Sequence, residues 1–141
     1  MNKVYVCSPL SASTEAGIKR NMRNAKNYAK KISVMLGIRA IAPHSFLPDY
    51  LDDTIPEERE LALNFGLDLL RQSEKIVVCG DTISKGMAAE IALARTLEIP
   101  VLHYTENECL STIMAEDGWQ ITQIFLEKRR VKQTKRNKIA I

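Results

Sequence analysis

The sequence predicts an α/β fold: a single doubly wound, flavodoxin- or Rossmann-like domain. Its parallel sheet has four to five strands in the order 2-1-3-4, with helices on both faces. Three observations carry this. Short runs rich in β-branched residues, such as Lys75-Ile-Val-Val-Cys-Gly80, alternate with longer segments of helical period. The apolar runs stop at glycine, proline or small polar residues, which gives the order β-α-β-α-β-α-β-α-α. Such alternation implies parallel strands joined by right-handed crossovers. The order 2-1-3-4 is the simplest arrangement, and it places the topological switch point between strands one and three.

Taken in order, residues 2–7 form the first strand, and Ser8-Pro-Leu-Ser-Ala-Ser13 is a turn-rich loop. A long helix is expected from Thr14 to Leu36. Its apolar positions Ile18, Met22, Ala25, Ala29, Ile32 and Leu36 step by four and three, and Gly37 ends it. The outer face of this helix carries Lys19, Arg20, Arg23, Lys26, Lys30 and Lys31. Strand two spans Ile38 to Ala42, and the segment from Pro43 to Asp53 is long enough to cover a pocket. Thr54-Ile-Pro-Glu57 has the form of a capping box opening a helix to Gln72, with Leu61, Leu63, Phe65, Leu67, Leu69 and Leu70 as its apolar supply.

Strand three ends at Gly80. A helix from Lys85 to Leu97 follows, with Ser84 as its N-cap, and Val101–Tyr104 is strand four. Thr105-Glu-Asn-Glu108 looks like another capping box, opening a helix to Ala115. Residues 1–118 are expected to form the domain, and 119–141 a last helix running into a basic tail.

Glu90 stands out. It is the only polar residue between Met87 and Ala94, on a stripe with Met87, Ala94 and Leu97 that should face the sheet. Two explanations fit a carboxylate there: favourable interaction with the helix N-terminus, or a catalytic group aimed into the crevice at the carboxyl ends of the strands.

The totals exclude several classes. With 45% hydrophobic and 26% charged residues, the 141-residue chain is ordinary for a soluble globular domain. No run approaches the roughly 20 apolar residues of a membrane span, and the chain enters a strand at once, so no signal peptide is expected. The three cysteines, Cys7, Cys79 and Cys109, are odd in number and widely spaced, as in a reduced cytoplasmic protein without a zinc site. The net charge of +3 conceals an asymmetry. After Phe125 there are seven positive charges against one negative, a net +6, so the remainder carries −3. A basic tail can hold nucleic acid, but a solvated helix end or subunit contact is the better expectation.

No G-x-G-x-x-G, Walker lysine loop or G-x-S-x-G elbow is present, which argues against a dinucleotide site, ATP hydrolysis and a serine hydrolase. His44 and His103 have no companions at metal-ligand spacing. The loops Ser8–Ser13 and Asp81–Gly86 should meet at the switch point, a favourable place for a phosphate.

Tyr5, the loop Ser8–Ser11, Ser84-x-Gly86-x-x-x-Glu90 and Leu110-Ser-Thr-Ile-Met114 together resemble the nucleoside 2-deoxyribosyltransferase superfamily. Their spacing is nearest to the 2′-deoxynucleoside 5′-phosphate N-hydrolases. With Ala42-Pro-His-Ser and Glu57-Glu-Arg-Glu-Leu-Ala-Leu included, the pattern resembles an uncharacterised phage and bacterial branch. The likeness covers roughly residues 3–115.

The resemblance implies that Glu90 is a nucleophile attacking C1′ of a deoxyribosyl group and that Tyr5 orients its carboxylate. It implies a 5′-phosphate site at Ser84 and Gly86, and Ser111 donated by a neighbouring subunit of a dimer or larger oligomer. Cys7, Ser8, Pro9, Leu10, Ser11, His44 and Met87 are expected to line the substrate site with them. No cofactor or metal is implied. Where transferases acting on unphosphorylated nucleosides carry an aspartate, this chain has Ser84, which favours a nucleotide.

Two positions depart from the pattern. The general-acid aspartate, 24 residues before the nucleophile, is Gly66 here, and Asp68 points elsewhere around the helix. Asp81 and Asp49 are the remaining candidates for protonating the leaving base. The hydrolases' arginine in the first loop is Ser11, which leaves Lys19, Arg20 and Arg23 on the first helix as candidates to supply the cation. Three readings follow: an N-glycosidase or transferase on 2′-deoxyribonucleotides, a non-catalytic nucleotide-binding protein, and an interaction protein using its basic tail.

Overall fold

The computed structural model describes residues 2–80 and 82–104, together with the backbone of 110–112. Its strands are β1 (Lys3–Cys7), β2 (Arg39–Ile41), β3 (Lys75–Val78), β4 (Val101–Tyr104) and β5 (Leu110–Thr112). Its helices are α1 (Glu15–Leu36), α2 (Leu47–Tyr50), α3 (Pro56–Arg71) and α4 (Lys85–Thr96), with a 3₁₀ turn over Pro43–Ser45. The sheet order is β2-β1-β3-β4-β5. The first four strands are parallel and β5 is antiparallel to β4. The parallel four-strand core in the order 2-1-3-4 is therefore as the sequence implies.

Period-two alternation divides the core into two layers. Val4, Val6, Val77 and Cys79 point to one face, where Ala25 and Ile32 of α1 cover them. Tyr5, Cys7, Ile76 and Val78 point to the other, under Leu69 and Leu70 of α3 and Met87, Ile91 and Ala94 of α4. The near-continuous apolar strands reflect burial on both sides.

Three local expectations are corrected. Residues 110–112 are a strand, not part of a helix: β4 offers an open edge, and its backbone groups pair with Leu110, Ser111 and Thr112. The Thr54 capping box does not form. Thr54 bonds Asp52 Oδ1 through both its amide (2.9 Å) and its hydroxyl (2.6 Å), and α3 starts at Pro56 with Ile55 as a cap lacking a side-chain bond. Of the apolar supply on α3, Leu69 and Leu70 are buried, but Leu61, Leu63 and Phe65 are exposed. Leu97, expected to face the sheet, is also exposed. The expected helix of 119–128, the basic tail and Cys109 lie outside the described residues. Among the described residues, no helix is long and apolar enough to cross a membrane.

Candidate active site

The loops after β1 and β3 meet where the sheet changes direction. Val78 pairs with Cys7, and the Cys79 amide donates to the Cys7 carbonyl at 2.9 Å. Gly80 follows with φ of 98°, a conformation that favours glycine, and a β-carbon there would stand 3.0 Å from Pro9 Cδ. The backbone angle and the closeness of Pro9 thus each favour glycine at position 80. On the other side of the first loop, Asn21 Nδ2 donates to the Leu10 carbonyl at 2.8 Å. These contacts brace the carboxyl ends of β1 and β3 at the switch point, where open α/β sheets form their ligand crevice, and α4 begins beside them.

The start of α4 is set by Ser84, whose Oγ accepts from the Met87 amide at 3.2 Å. Among the described residues, a β-carbon on Gly86 would meet only Ser84 Oγ, 3.9 Å away, so the exposed Gly86 leaves its side of the first turn bare. Further along the helix, Glu90 turns inward. The Tyr5 hydroxyl, on a residue 3% exposed, acts on the Glu90 carboxylate and favours its charged form. The second oxygen, Oε2, is buried and has no partner among the described residues. Burial pushes the Glu90 carboxyl up to about 7, against the opposing pull of the Tyr5 bond. The same burial, with the Glu90 charge beside it, raises Tyr5, which stays a protonated donor.

Ser8 extends β1 into the crevice. It is 1% exposed, and its Oγ is the other buried polar side-chain atom without a partner among the described residues. Its carbonyl lies 2.8 Å from His44 Nδ1. A carbonyl only accepts, so Nδ1 carries the proton and Nε2 keeps a lone pair. Burial lowers the His44 pKa, partly countered by the Ser8 bond and by Asp53, so the ring stays neutral to lower pH than an ordinary histidine.

Of the residues expected at the site, the structure couples Tyr5 with Glu90 and ties Ser8 to His44. Ser84 caps α4, and Ser11 is exposed at the end of the first loop. Cys7 and Met87 are each 1% exposed and belong to the core, where the Cys7 thiol points at the Met87 carbonyl 3.9 Å away. Burial raises the Cys7 thiol well above its ordinary range, with the Glu90 charge adding to it, so it remains a thiol. Asp49 is exposed on α2, and Asp68 faces solvent in an ion pair with Arg71 at 2.8 Å. Asp81 and the Ser111 side chain lie outside what the structure describes.

Two contacts at the site carry little signal in the sequence. One is Gly66: a β-carbon there would lie 3.2 Å from the Tyr5 hydroxyl. A glycine inside a helix hints at close approach but does not identify the neighbour. The other is the His44–Ser8 bond, for which the only hint is a histidine just after a strand.

No curated protein matches the sequence. The solved structure of a 2-deoxyribosyltransferase from the psychrotolerant bacterium Bacillus psychrosaccharolyticus is similar in fold, with a TM-score of 0.55 at 18% identity. The match covers 72% of this chain and 70% of that one. A family model described as a domain of unknown function, DUF7768, matches residues 2–104, and the chain belongs to that family.

Proposed function

We propose that the chain cleaves or transfers the N-glycosidic bond of 2′-deoxyribonucleoside 5′-monophosphates, with Glu90 as the nucleophile. The observation that carries this is the Glu90 carboxylate: one buried oxygen is unpartnered among the described residues, while the Tyr5 hydroxyl acts on the same group. A carboxylate with a free oxygen can attack a sugar carbon when ionised, and a pKa of about 7 leaves a share of Glu90 ionised at neutral pH. The fold shared with a 2-deoxyribosyltransferase supports the same chemistry.

In the proposed reaction a Glu90 oxygen attacks C1′, forming an ester bond as the C1′–N bond breaks. The bonding pair leaves with the base, which takes up a proton from an acid or from water. Water then attacks C1′ and releases deoxyribose 5-phosphate and the Glu90 carboxylate, or a second base attacks and yields a new nucleotide. Tyr5 holds the carboxylate in line. The bare first turn of α4, with Ser84 and Gly86, is the proposed phosphate seat. Ser8, Pro9, Leu10, Ser11 and the lone pair of His44 Nε2 would face the rest of the ligand. Asp81 is the proposed proton donor. We also propose a dimer or larger oligomer in which Ser111 of the partner subunit completes the site. The exposed Leu61 and Phe65, four residues apart on α3, support burial of that face between copies.

A second reading is nucleotide binding without cleavage. Gly66 favours it, because the helix facing Tyr5 presents a bare backbone there rather than an acid. Intact-mass analysis of protein quenched during incubation with deoxynucleotides separates the two. A deoxyribosyl phosphate ester on the peptide containing Glu90 supports the covalent route. Nucleotide-induced thermal stabilisation with no adduct and no free base supports binding alone.

A further inference from the structure

Helix α1 carries a row of cations that the described structure does not neutralise. Lys19, Arg23, Lys26 and Lys30 recur in steps of four, three and four, which returns each to one side of the helix, and all are exposed. Ala25 and Ile32 are buried on the opposite side, so the row points outward. Arg20, Asn24 and Asn27 flank it, also exposed. Glu15 is the only acidic residue of α1, and its 3.7 Å approach to Lys19 is an exposed contact of little strength. Arg20, Arg23, Lys26 and Lys30 have no ion-pair partner among the described residues. Helix α3 differs: it mixes both signs, and Arg59 and Arg71 each pair with an aspartate. Like charges four apart on a helix repel, so an uninterrupted row favours an external polyanion.

We propose that this face of α1 binds the phosphodiester backbone of a nucleic acid. Successive cations of the row rise by about 6, 4.5 and 6 Å, and the row extends about 16 Å, long enough to follow several phosphates of one strand. From Lys19 to Lys30 the row contains no apolar or aromatic side chain. The buried centre of a protein interface is rich in aromatics and poor in lysine, and a membrane-surface helix needs an exposed apolar flank. Here the exposed apolar residues Val34 and Met35 are confined to the last turn of α1, with Val34 continuing the row at that end. Contacts to phosphates carry no base information, so binding is expected to be indifferent to sequence. The face lies on the outer side of α1, so the proposal is independent of the chemistry at Glu90.

Fluorescence anisotropy of the full chain, with labelled duplexes of about 20 base pairs in two unrelated sequences, tests this. Four phosphate contacts predict equal affinity for both duplexes and a weakening on the order of 100-fold between about 50 and about 200 mM salt. Replacing Lys19, Arg23, Lys26 and Lys30 together with Gln, a good helix former, should abolish most of that salt dependence with the circular dichroism unchanged. Should that variant fail to fold, Lys26→Gln with Lys30→Gln should remove about half of the logarithmic slope. A tail variant, with Gln at Lys132, Lys135, Arg136 and Lys138, should bind as the parent does. The proposal is overturned if the parent binds no duplex at low salt, if the α1 variants bind like the parent, or if the tail variant alone loses binding. Binding to anionic lipid vesicles but not to duplex would also overturn it.

Discussion

The Tyr5 hydroxyl is coupled to the Glu90 carboxylate, whose pKa it lowers, and lies against the bare backbone of Gly66, where a β-carbon would stand 3.2 Å away. This makes Gly66 part of the site's geometry. Ala at a helix-interior position ordinarily gains about 1 kcal/mol over Gly. In this protein Gly66→Ala should gain much less, because the added methyl displaces a hydroxyl that is already engaged. In a Tyr5→Phe background the obstacle is absent, and the full gain of about 1 kcal/mol should appear. Urea denaturation of the four-member cycle measures the coupling. Strict additivity would mean that Tyr5 shifts aside without cost.

The pH dependence of turnover follows from the same pair. Glu90 attacks only as the carboxylate, and burial places its pKa at about 7. The proposed cleavage should therefore rise with pH through neutrality, with kcat/KM reporting the free enzyme. The Tyr5 bond lowers the Glu90 pKa. In Tyr5→Phe the limb should move to higher pH, as well as lose amplitude. A pH–rate profile of both proteins checks the direction, and a limb moving to lower pH would contradict the assignment.

Stability should respond oppositely. Glu90 is raised from 4.5 to about 7 on folding. The native state thus holds the proton more tightly than the unfolded chain, and stability falls as pH rises from below 4.5 to above 7. Glu90→Gln removes this loss. Relative to the parent it should be stabilising at pH 8, by at most on the order of 3 kcal/mol, and close to neutral at pH 4. Denaturation midpoints at both pH values measure it.

Gly80 offers a structural test of the crevice. Any side chain there combines a left-handed φ of 98° with a contact 3.0 Å from Pro9. Gly80→Ala should cost about 1–3 kcal/mol and loosen the two loops together. Faster hydrogen exchange at amides of the first loop and the start of α4 would show this, whereas unchanged exchange in a destabilised protein would show that the loops are not coupled through this contact.

The parts of the fold legible in the sequence are those decided locally. Thr14 and Ser84 accept from the amides of Gly17 and Met87 as N-caps, and Gly37 ends α1 in the left-handed region. The apolar runs of β1 and β3 have no polar face because both sides are covered. What was not legible depends on partners distant in sequence. Residues 110–112 pair with the edge of β4, a choice made by the sheet rather than by their own period. Thr54 is captured by Asp52 instead of capping α3. At the site, the order of motifs pointed to Tyr5 and Glu90, but Gly66 beneath the Tyr5 hydroxyl and His44 against Ser8 appear only once α3 and the loop after β2 are packed.

The most direct measurement is base release. The protein, with Glu90→Gln alongside, would be incubated with each deoxynucleoside monophosphate, the matching nucleosides and the ribonucleotides, and free base followed by chromatography. Release from deoxynucleoside monophosphates alone, absent in Glu90→Gln, is the predicted result. Release that persists in Glu90→Gln, or none from any of these compounds, would contradict a nucleophilic Glu90.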